Sequence, residues 1–283
     1  FGTCLAYEQL SGNSKYRDFV LNHFEWAVCE NEMKWASNES NRDKENYSQA
    51  DYIAKWCKDN NITLRGHCVL WEQKNDQMPS WVPSLNCTKY PDASEMLTEI
   101  DERINSVVSR YKGQIVQWDI DNEMLSSNTF GCLEEPGRAH FFELANQIDP
   151  NCAMYMNEFS NNSFGGYNGT PYANRALGLI NLGAPVEGLG IQAHVNSSFQ
   201  PERYYNDVLQ KLAVVGVPIM ATEFDTNASS ESQRANDLEN FFRICFSHAN
   251  VEGIIMWGFL KGSAWRENWG IVNSNWTLNE AGL

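Results

Sequence analysis

Two glutamates of this chain, Glu123 and Glu223, follow short apolar segments that are 100 positions apart. The first segment reads WDIDNE at residues 118–123, and the second reads MATEFD at residues 220–225. Both have the composition of strands and are flanked by helical patterns. If they are strands of one parallel barrel, the two carboxylates emerge at the same rim, where such barrels hold their chemistry. Two convergent carboxylates can cleave a glycosidic bond, one as proton donor and the other as nucleophile or base.

The rest of the chain alternates short apolar runs with amphipathic stretches. Strands are predicted near residues 1–6, 25–30, 63–70, 115–121, 153–157, 188–193, 218–223 and 251–257. Helices are predicted near residues 15–24, 47–60, 94–111, 137–149, 171–183, 201–214 and 232–249. This alternation predicts an α/β fold, a (β/α)8 TIM barrel, as a single catalytic domain over residues 1–283. A helix expected after the eighth strand is missing, so the final helix of the barrel is absent from the chain as given.

Composition limits the partners of the protein. The 283 residues carry a formal net charge of −15, and the sequence pI is about 4.7. Nucleic acids and anionic membrane surfaces do not attract such an acidic protein, so neither is an expected partner, whereas a neutral polysaccharide is compatible. No apolar run is long enough to span a bilayer. The spacing of the cysteines does not indicate a zinc cluster.

Cysteines and glycosylation motifs indicate an extracellular location. The eight cysteines form no metal-binding motif and favour up to four disulfides, with buried free thiols as the alternative. Nine Asn-x-Ser/Thr sequons indicate a secreted glycoprotein that carries N-linked glycans, although chance accounts for several of them. The sequons begin at Asn38, Asn46, Asn61, Asn86, Asn161, Asn168, Asn196, Asn227 and Asn275.

Amide, imidazole, carboxylate and indole side chains follow several predicted strands, and together they have the chemistry that recognises sugars. Sugar hydroxyls form directional hydrogen bonds, and the C–H faces of a sugar ring stack on indoles. Glycoside hydrolase family 10, the endo-β-1,4-xylanases, is the family that the chain resembles. The resemblance lies in ENEMKW at residues 30–35, GHxxxW at 66–71, PSWV at 79–82, WDxxNE at 118–123, Gln-x-His at 192–194, TExD at 222–225 and WG…WR at 257–266. These motifs come in the family's order and cover nearly the whole chain.

The resemblance implies a retaining hydrolase of β-1,4-linked polysaccharide that needs no cofactor. It implies that Glu123 is the general acid/base, that Glu223 is the nucleophile, and that Asn122 holds the 2-hydroxyl of the sugar being cleaved. His194 would donate a hydrogen bond to Glu223 and be oriented by Asp225. The implied substrate-binding residues are Glu30, Asn31 and Lys34 for the next sugar, and His67, Trp71, Gln192, Trp257 and Trp265 around the sugar being cleaved.

Departures from the family pattern leave alternatives open. Glu72 stands where bacterial members often have His, and Glu158 replaces the usual Asp after Asn157. Together with the sequons, these features are typical of the plant and animal branch. The same chemistry on another β-1,4-glycan, and a weakly active glycan-binding or extracellular structural protein on a retained barrel, are the alternatives. We also expect the neighbouring carboxylates of Asp119 and Asp121 to raise the pKa of Glu123.

Overall fold

The strands close into a parallel barrel. The computed structural model describes residues 1–73, 77–159, 166–228, 230–263, 265–266 and 269–283. Its strands in these ranges are β1 (Gly2–Leu5), β2 (Trp26–Cys29), β3 (Thr63–Gly66), β4 (Leu70–Trp71), β5 (Ile115–Asn122), β6 (Ala153–Glu158), β7 (Gly188–Ile191), β8 (His194–Asn196), β9 (Ile219–Asn227) and β10 (Val251–Met256). Eight of them pair in parallel in the order β10-β1-β2-β3-β5-β6-β7-β9, and β10 also pairs with β9. The predicted eight-stranded barrel is confirmed.

Two short strands lengthen the wall at the carboxyl end of the barrel. β4 pairs with the end of β5, which places Trp71 opposite Asn122, and β8 pairs with the end of β9, which places His194 opposite Asp225. The single strand predicted over residues 63–70 is therefore interrupted after Gly66. The ring of Trp118 fills the space that a Cβ at Gly66 would occupy, so only glycine allows the two strands to approach at this point.

Helices surround the barrel. They are α1 (Tyr7–Gly12), α2 (Ser14–His23), α3 (Trp35–Asn38), α4 (Ser48–Asp59), α5 (Glu95–Arg110), α6 (Glu134–Ile148), α7 (Thr170–Asn181), α8 (Pro201–Arg203), α9 (Gln210–Leu212) and α10 (Glu231–Ser247). A π-helical turn at Tyr204–Leu209 joins α8 to α9 in place of one regular helix. After β10 the described residues contain no α-helix, only a 3₁₀ turn at Glu280–Gly282. None of the described helices has the length and apolar character needed to cross a bilayer.

Helix α5 shows how the sequence positions these elements. It begins at Ser94, whose hydroxyl accepts a hydrogen bond from the Leu97 amide at 3.3 Å and so satisfies one free donor of the first turn. Ile100, Ile104 and Val107 recur at helical spacing and are fully buried. The same face carries Arg103, whose guanidinium donates to the carbonyl oxygens of residues 33, 68 and 69 and thereby ties together the segments that follow β2 and β3.

The structure contains one of the up to four disulfides that the sequence favours, and the alternative of buried free thiols holds for the other cysteines. Only Cys87 and Cys132 are bonded, and they link the segment before α5 to the segment before α6. The other six are free thiols buried in the protein interior, where cysteine packs as a small apolar residue. These are Cys4, Cys29, Cys57, Cys68, Cys152 and Cys245.

Candidate active site

A cleft of about 320 Å3 opens at the carboxyl end of the barrel. Ten of the thirteen residues predicted from the sequence line it, contributed by the ends of six barrel strands and the loops that follow. They are Glu30, Asn31, Lys34, Trp71, Glu123, Gln192, His194, Glu223, Trp257 and Trp265. The remaining three are buried just behind the lining: His67 packs against Trp71, Asp225 contacts His194, and Asn122 lies opposite Trp71 in the pairing of β4 with β5. Gln73, Gln77 and Phe159 also line the cleft.

Glu123 follows β5 directly and is buried at the cleft. Its backbone has a φ of 59° and its amide donates to the Asn157 carbonyl at 2.9 Å, so the turn is fixed by the neighbouring strand. The carboxylate accepts hydrogen bonds from Gln192 Nε2, at 2.8 Å, and from Gln73 Nε2. Burial raises its pKa to about 7; the Gln192 hydrogen bond opposes the rise, and the charges of Glu223 and Glu158 add to it. Glu123 can therefore hold a proton near neutral pH.

Glu223 lies in β9 and is held in the opposite protonation state. Asn157 Nδ2 donates to its Oε1 at 2.8 Å, His194 Nε2 lies 3.4 Å from its Oε2, and His67 Nδ1 lies 3.9 Å from its Oε1. Burial acts to raise the pKa of Glu223, but the charge of His67 and the hydrogen bond and charge of His194 outweigh it, and the pKa falls to about 2. Glu223 is therefore a buried carboxylate that stays ionised.

His194 is oriented from behind by Asp225. The pairing of β8 with β9 puts the two residues opposite each other, with His194 Nδ1 2.9 Å from Asp225 Oδ1. The indole Nε1 of Trp265 donates to the other oxygen of Asp225 at 2.5 Å. Burial opposes a charge on His194, but Asp225 and Glu223 together raise its pKa to about 10. The predicted contacts of His194 with Glu223 and Asp225 are therefore present, and the imidazole is cationic at neutral pH.

Polar residues after β2 form one side wall of the cleft. Lys34 Nζ donates to Asn31 Oδ1 at 2.8 Å and lies 5.0 Å from the centre of the Trp71 ring, close enough for a cation–π contact. Burial and the charge of Glu32 raise the pKa of Glu30 to about 7, against the opposing charge of Lys34. The lysine, which in isolation would be an ordinary surface residue, is buried here.

Aromatic rings surround the floor of the cleft. His67 packs edge-on against Trp71 and Trp257, with ring centroids 5.6 and 5.3 Å apart, and its Nδ1 lies 2.9 Å from Asp119 Oδ2. Trp265 remains 42% exposed at the rim. Rings on several sides of a polar floor suit a sugar, which has apolar faces and polar edges.

Asn157 contributes to the site although the sequence assigned it no role. Its Nδ2 donates to Asn122 Oδ1 and to Glu223 Oε1, each at 2.8 Å, while its Oδ1 accepts from the Thr222 hydroxyl at 2.7 Å. The Nδ2 of Asn122 is buried without a hydrogen-bond partner in the described part of the chain, which leaves it available to a ligand. The position of Asn157 at the end of β6 was the only signal in the sequence.

The expected effect of Asp119 and Asp121 on Glu123 is wrong. A register shift in β5 separates the two residues, so Asp119 pairs with Arg65 and His67, and Asp121 pairs with Arg138 of α6 at 2.8 Å. Asp121 shares Arg138 with Glu72, and the charges that raise the pKa of Glu123 belong to Glu223 and Glu158.

Two curated proteins similar to this chain carry different names. The chain is 39% identical over its whole length to the anti-sigma-I factor RsgI6 of Acetivibrio thermocellus, and 35% identical over 99% of its length to endo-1,4-beta-xylanase 1 of Arabidopsis thaliana. It covers 36% and 29% of those proteins, so it spans about a third of the length of these relatives.

The chain is similar in fold to a solved structure and in sequence to a family model. Xylanase 10B from Thermotoga petrophila RKU-1, in complex with xylobiose, superimposes with a TM-score of 0.86 at 23% identity, covering 99% of this chain and 90% of that one. At this identity the likeness shows a shared fold. The family model described as Glycosyl hydrolase family 10 matches residues 1–280. The chain therefore belongs to glycosyl hydrolase family 10.

Proposed function

We propose that the protein is an endo-β-1,4-xylanase that cleaves internal bonds of xylan with retention of configuration. One observation carries this proposal: two buried glutamates at one cleft have pKa values shifted in opposite directions, to about 7 for Glu123 and about 2 for Glu223. An acid and an ionised carboxylate at the same pH are what glycoside hydrolysis requires. The Arabidopsis relative named as an endo-1,4-beta-xylanase supports xylan as the substrate.

The proposed reaction has two steps. In the first, a carboxylate oxygen of Glu223 bonds to C1 of the sugar while the C1–O glycosidic bond breaks, and Glu123 gives its proton to the departing oxygen. In the second, Glu123 takes a proton from water as the water oxygen bonds to C1 and the bond to Glu223 breaks. Both carboxyl groups are then restored to their starting states, so no cofactor is required.

The remaining residues position the glutamates and the sugar. His67 and His194, the latter held by Asp225, keep Glu223 ionised, and the hydrogen bond from Asn157 holds its carboxylate in place. The free Nδ2 of Asn122 is proposed to donate to the 2-hydroxyl of the sugar being cleaved. Around that sugar we place His67, Trp71, Gln192, Trp257 and Trp265, and beside the next sugar we place Glu30, Asn31 and Lys34.

We also propose that the protein is secreted and N-glycosylated. Asn46, Asn61, Asn86, Asn168, Asn227 and Asn275 are exposed, as a glycan acceptor must be, and Asn196 is half-buried. Asn38 is buried and donates to the Glu32 carbonyl at 2.8 Å, so we exclude it as an acceptor. Asn161 lies outside the described residues. Glycopeptide mapping after expression in a eukaryotic secretory pathway tests these sites individually.

Sugar release from two polysaccharides tests the proposed activity. The wild type, Glu123→Gln, Glu223→Gln and the control Glu239→Gln, an exposed glutamate on α10, are compared on xylan and on a β-1,4-glucan. We expect xylan cleavage by the wild type and the control, loss in both cleft variants, and early products of many lengths. Sugar release from the glucan alone would mean that the substrate is a β-1,4-glucan and not xylan. If the wild type binds a glycan but releases no sugar from it, the protein is a glycan-binding protein and not a hydrolase.

Product stereochemistry tests the mechanism separately. Proton NMR of the first xylo-oligosaccharides released should show the β-anomer before mutarotation, because two displacements restore the original configuration at C1. An initial α-anomer would mean a single displacement by water, and Glu223 would then be a general base.

A further inference from the structure

Glu72 is a fully buried glutamate that lies behind the cleft and lines no part of it. It follows β4 directly and precedes Gln73, whose side-chain amide donates a hydrogen bond to the carboxyl group of Glu123. The family motifs gave Glu72 no role, since bacterial sequences often have His at this position. A buried charge persists only when its ion pairs and hydrogen bonds offset the loss of hydration. The partners of Glu72 therefore show which segments it holds in place.

The side chain of Glu72 joins two other segments. One carboxylate oxygen forms an ion pair with Arg138 of α6, which also hydrogen-bonds Asp121 of β5. The other oxygen accepts a hydrogen bond from the Phe130 amide at 2.9 Å. Arg138 is itself 2% exposed, so this ion pair is shielded from solvent and little weakened by salt.

The backbone of Glu72 adds two further bonds to the same segment. Its carbonyl oxygen accepts from the Ser127 hydroxyl at 3.0 Å and from the Thr129 hydroxyl at 2.9 Å. Residues 126–130 begin three positions after Glu123, and the Ser126 hydroxyl donates to the Glu123 carbonyl at 3.0 Å. Glu72 therefore fixes the chain on both sides of the Glu123 carboxyl: the segment that donates to it, and the segment that continues from it.

We propose that Glu72 is a positioning residue that aims the proton of Glu123, acting through Gln73 and the segment 126–130. This rests on the proposed function. Proton donation matters most when the departing oxygen is a poor leaving group, and general acid catalysis contributes about 10²- to 10⁴-fold. A substitution that only misorients the carboxyl group of Glu123 should therefore slow the cleavage of substrates whose leaving group needs a proton. It should have little effect on substrates whose leaving group does not.

The test compares kcat/KM for two aryl β-xylobiosides, a phenyl and a 2,4-dinitrophenyl glycoside. The variants are Glu72→Gln, which keeps an acceptor for Phe130 but loses the charge facing Arg138, and Glu123→Gln as the reference for complete loss of the acid. Glu99→Gln is the matched control, because Glu99 is also buried and paired with an arginine, Arg42 at 2.5 Å, but does not line the cleft. We expect Glu72→Gln to lose about tenfold or more on the phenyl substrate and less than about threefold on the dinitrophenyl substrate.

The outcomes separate this proposal from the proposed function. Equal losses on both substrates, or no loss on either, would overturn the role of Glu72 while leaving the hydrolase intact. Absence of turnover by the wild type on both substrates would overturn the function and this role with it. If Glu72→Gln does not fold, the double variant Ser127→Ala/Thr129→Val, which removes only the two hydroxyl donors, must show the same preferential loss on the phenyl substrate for the proposal to stand.

Discussion

Ionised Glu123 should destabilise the folded protein, and ionised Glu223 should stabilise it. Substituting each glutamate with glutamine measures the two effects on the free energy of unfolding separately. Burial, assisted by the charges of Glu223 and Glu158 and opposed by the Gln192 hydrogen bond, raises the pKa of Glu123 to about 7. Below pH 4.5 Glu123 is protonated in both the folded and unfolded chain. Between 4.5 and 7 only the unfolded chain releases the proton, so stability is lost as the pH rises to 7. At about 1.4 kcal/mol for each pH unit, the total loss is about 3 kcal/mol.

Glu223 follows the opposite course. Although burial disfavours its charge, His67 and His194 lower its pKa to about 2, so its contribution is present above pH 4.5 and is lost as the pH falls to 2. Glutamine resembles the protonated carboxyl. At pH 8.5 we therefore expect Glu123→Gln to raise the free energy of unfolding by about 3 kcal/mol and Glu223→Gln to lower it by a similar amount.

Urea unfolding followed by tryptophan fluorescence measures both effects, at pH 8.5 and pH 5, with Glu239→Gln as an exposed control. At pH 5 the gain from Glu123→Gln should shrink to less than about 1 kcal/mol, whereas the loss from Glu223→Gln should persist. Changes of the same sign in the two variants at pH 8.5, or a gain from Glu123→Gln that does not depend on pH, would refute the assignment of opposite protonation states.

Three further predictions concern the rate, the positioning of Glu223 and the disulfide. The kcat/KM on xylo-oligosaccharides should fall about tenfold per pH unit above pH 7, because Glu123 must hold its proton, and Glu30→Gln should leave this limb in place although the pKa of Glu30 is also about 7. Asn157→Ala should lower kcat by about 10- to 100-fold with a smaller change in KM, as steady-state kinetics will show, since it removes a donor to the nucleophile. The double variant Cys87→Ser/Cys132→Ser should lose up to about 4 kcal/mol in urea unfolding and, unlike the wild type, should be insensitive to reducing agent.

The barrel was predictable because its strands carry strong local patterns. Continuous apolar runs separated by amphipathic helices specify a parallel sheet covered on its outer face. The short helices α1 and α3 were missed because six and four residues are too few to show a period of 3.6. The irregular segment from α8 to α9 was predicted as one helix because its apolar spacing does not distinguish a π turn from an α turn.

Site residues at the ends of strands could be predicted from the sequence. Those whose role depends on packing against other strands were harder to predict. Glu123 follows β5, Glu223 lies in β9 and His194 begins β8, and they carry groups that few structural roles require together. Asn157 was visible at the end of β6, but its three side-chain hydrogen bonds depend on residues of β5, the neighbouring strand, and of β9, two strands away in the barrel, which no local pattern encodes. The partner of Asp121 depends on a register shift that one strand's sequence does not reveal.

The six buried thiols give the folded barrel built-in reporters of local opening. Burial raises the pKa of every one, so each remains a protonated, unreactive thiol while its surroundings stay closed. They are distributed around the molecule, from Cys4 in β1 and Cys29 in β2 to Cys245 in α10. Alkylation followed by mass spectrometry would therefore rank the parts of the barrel by how often they open, without any engineered label.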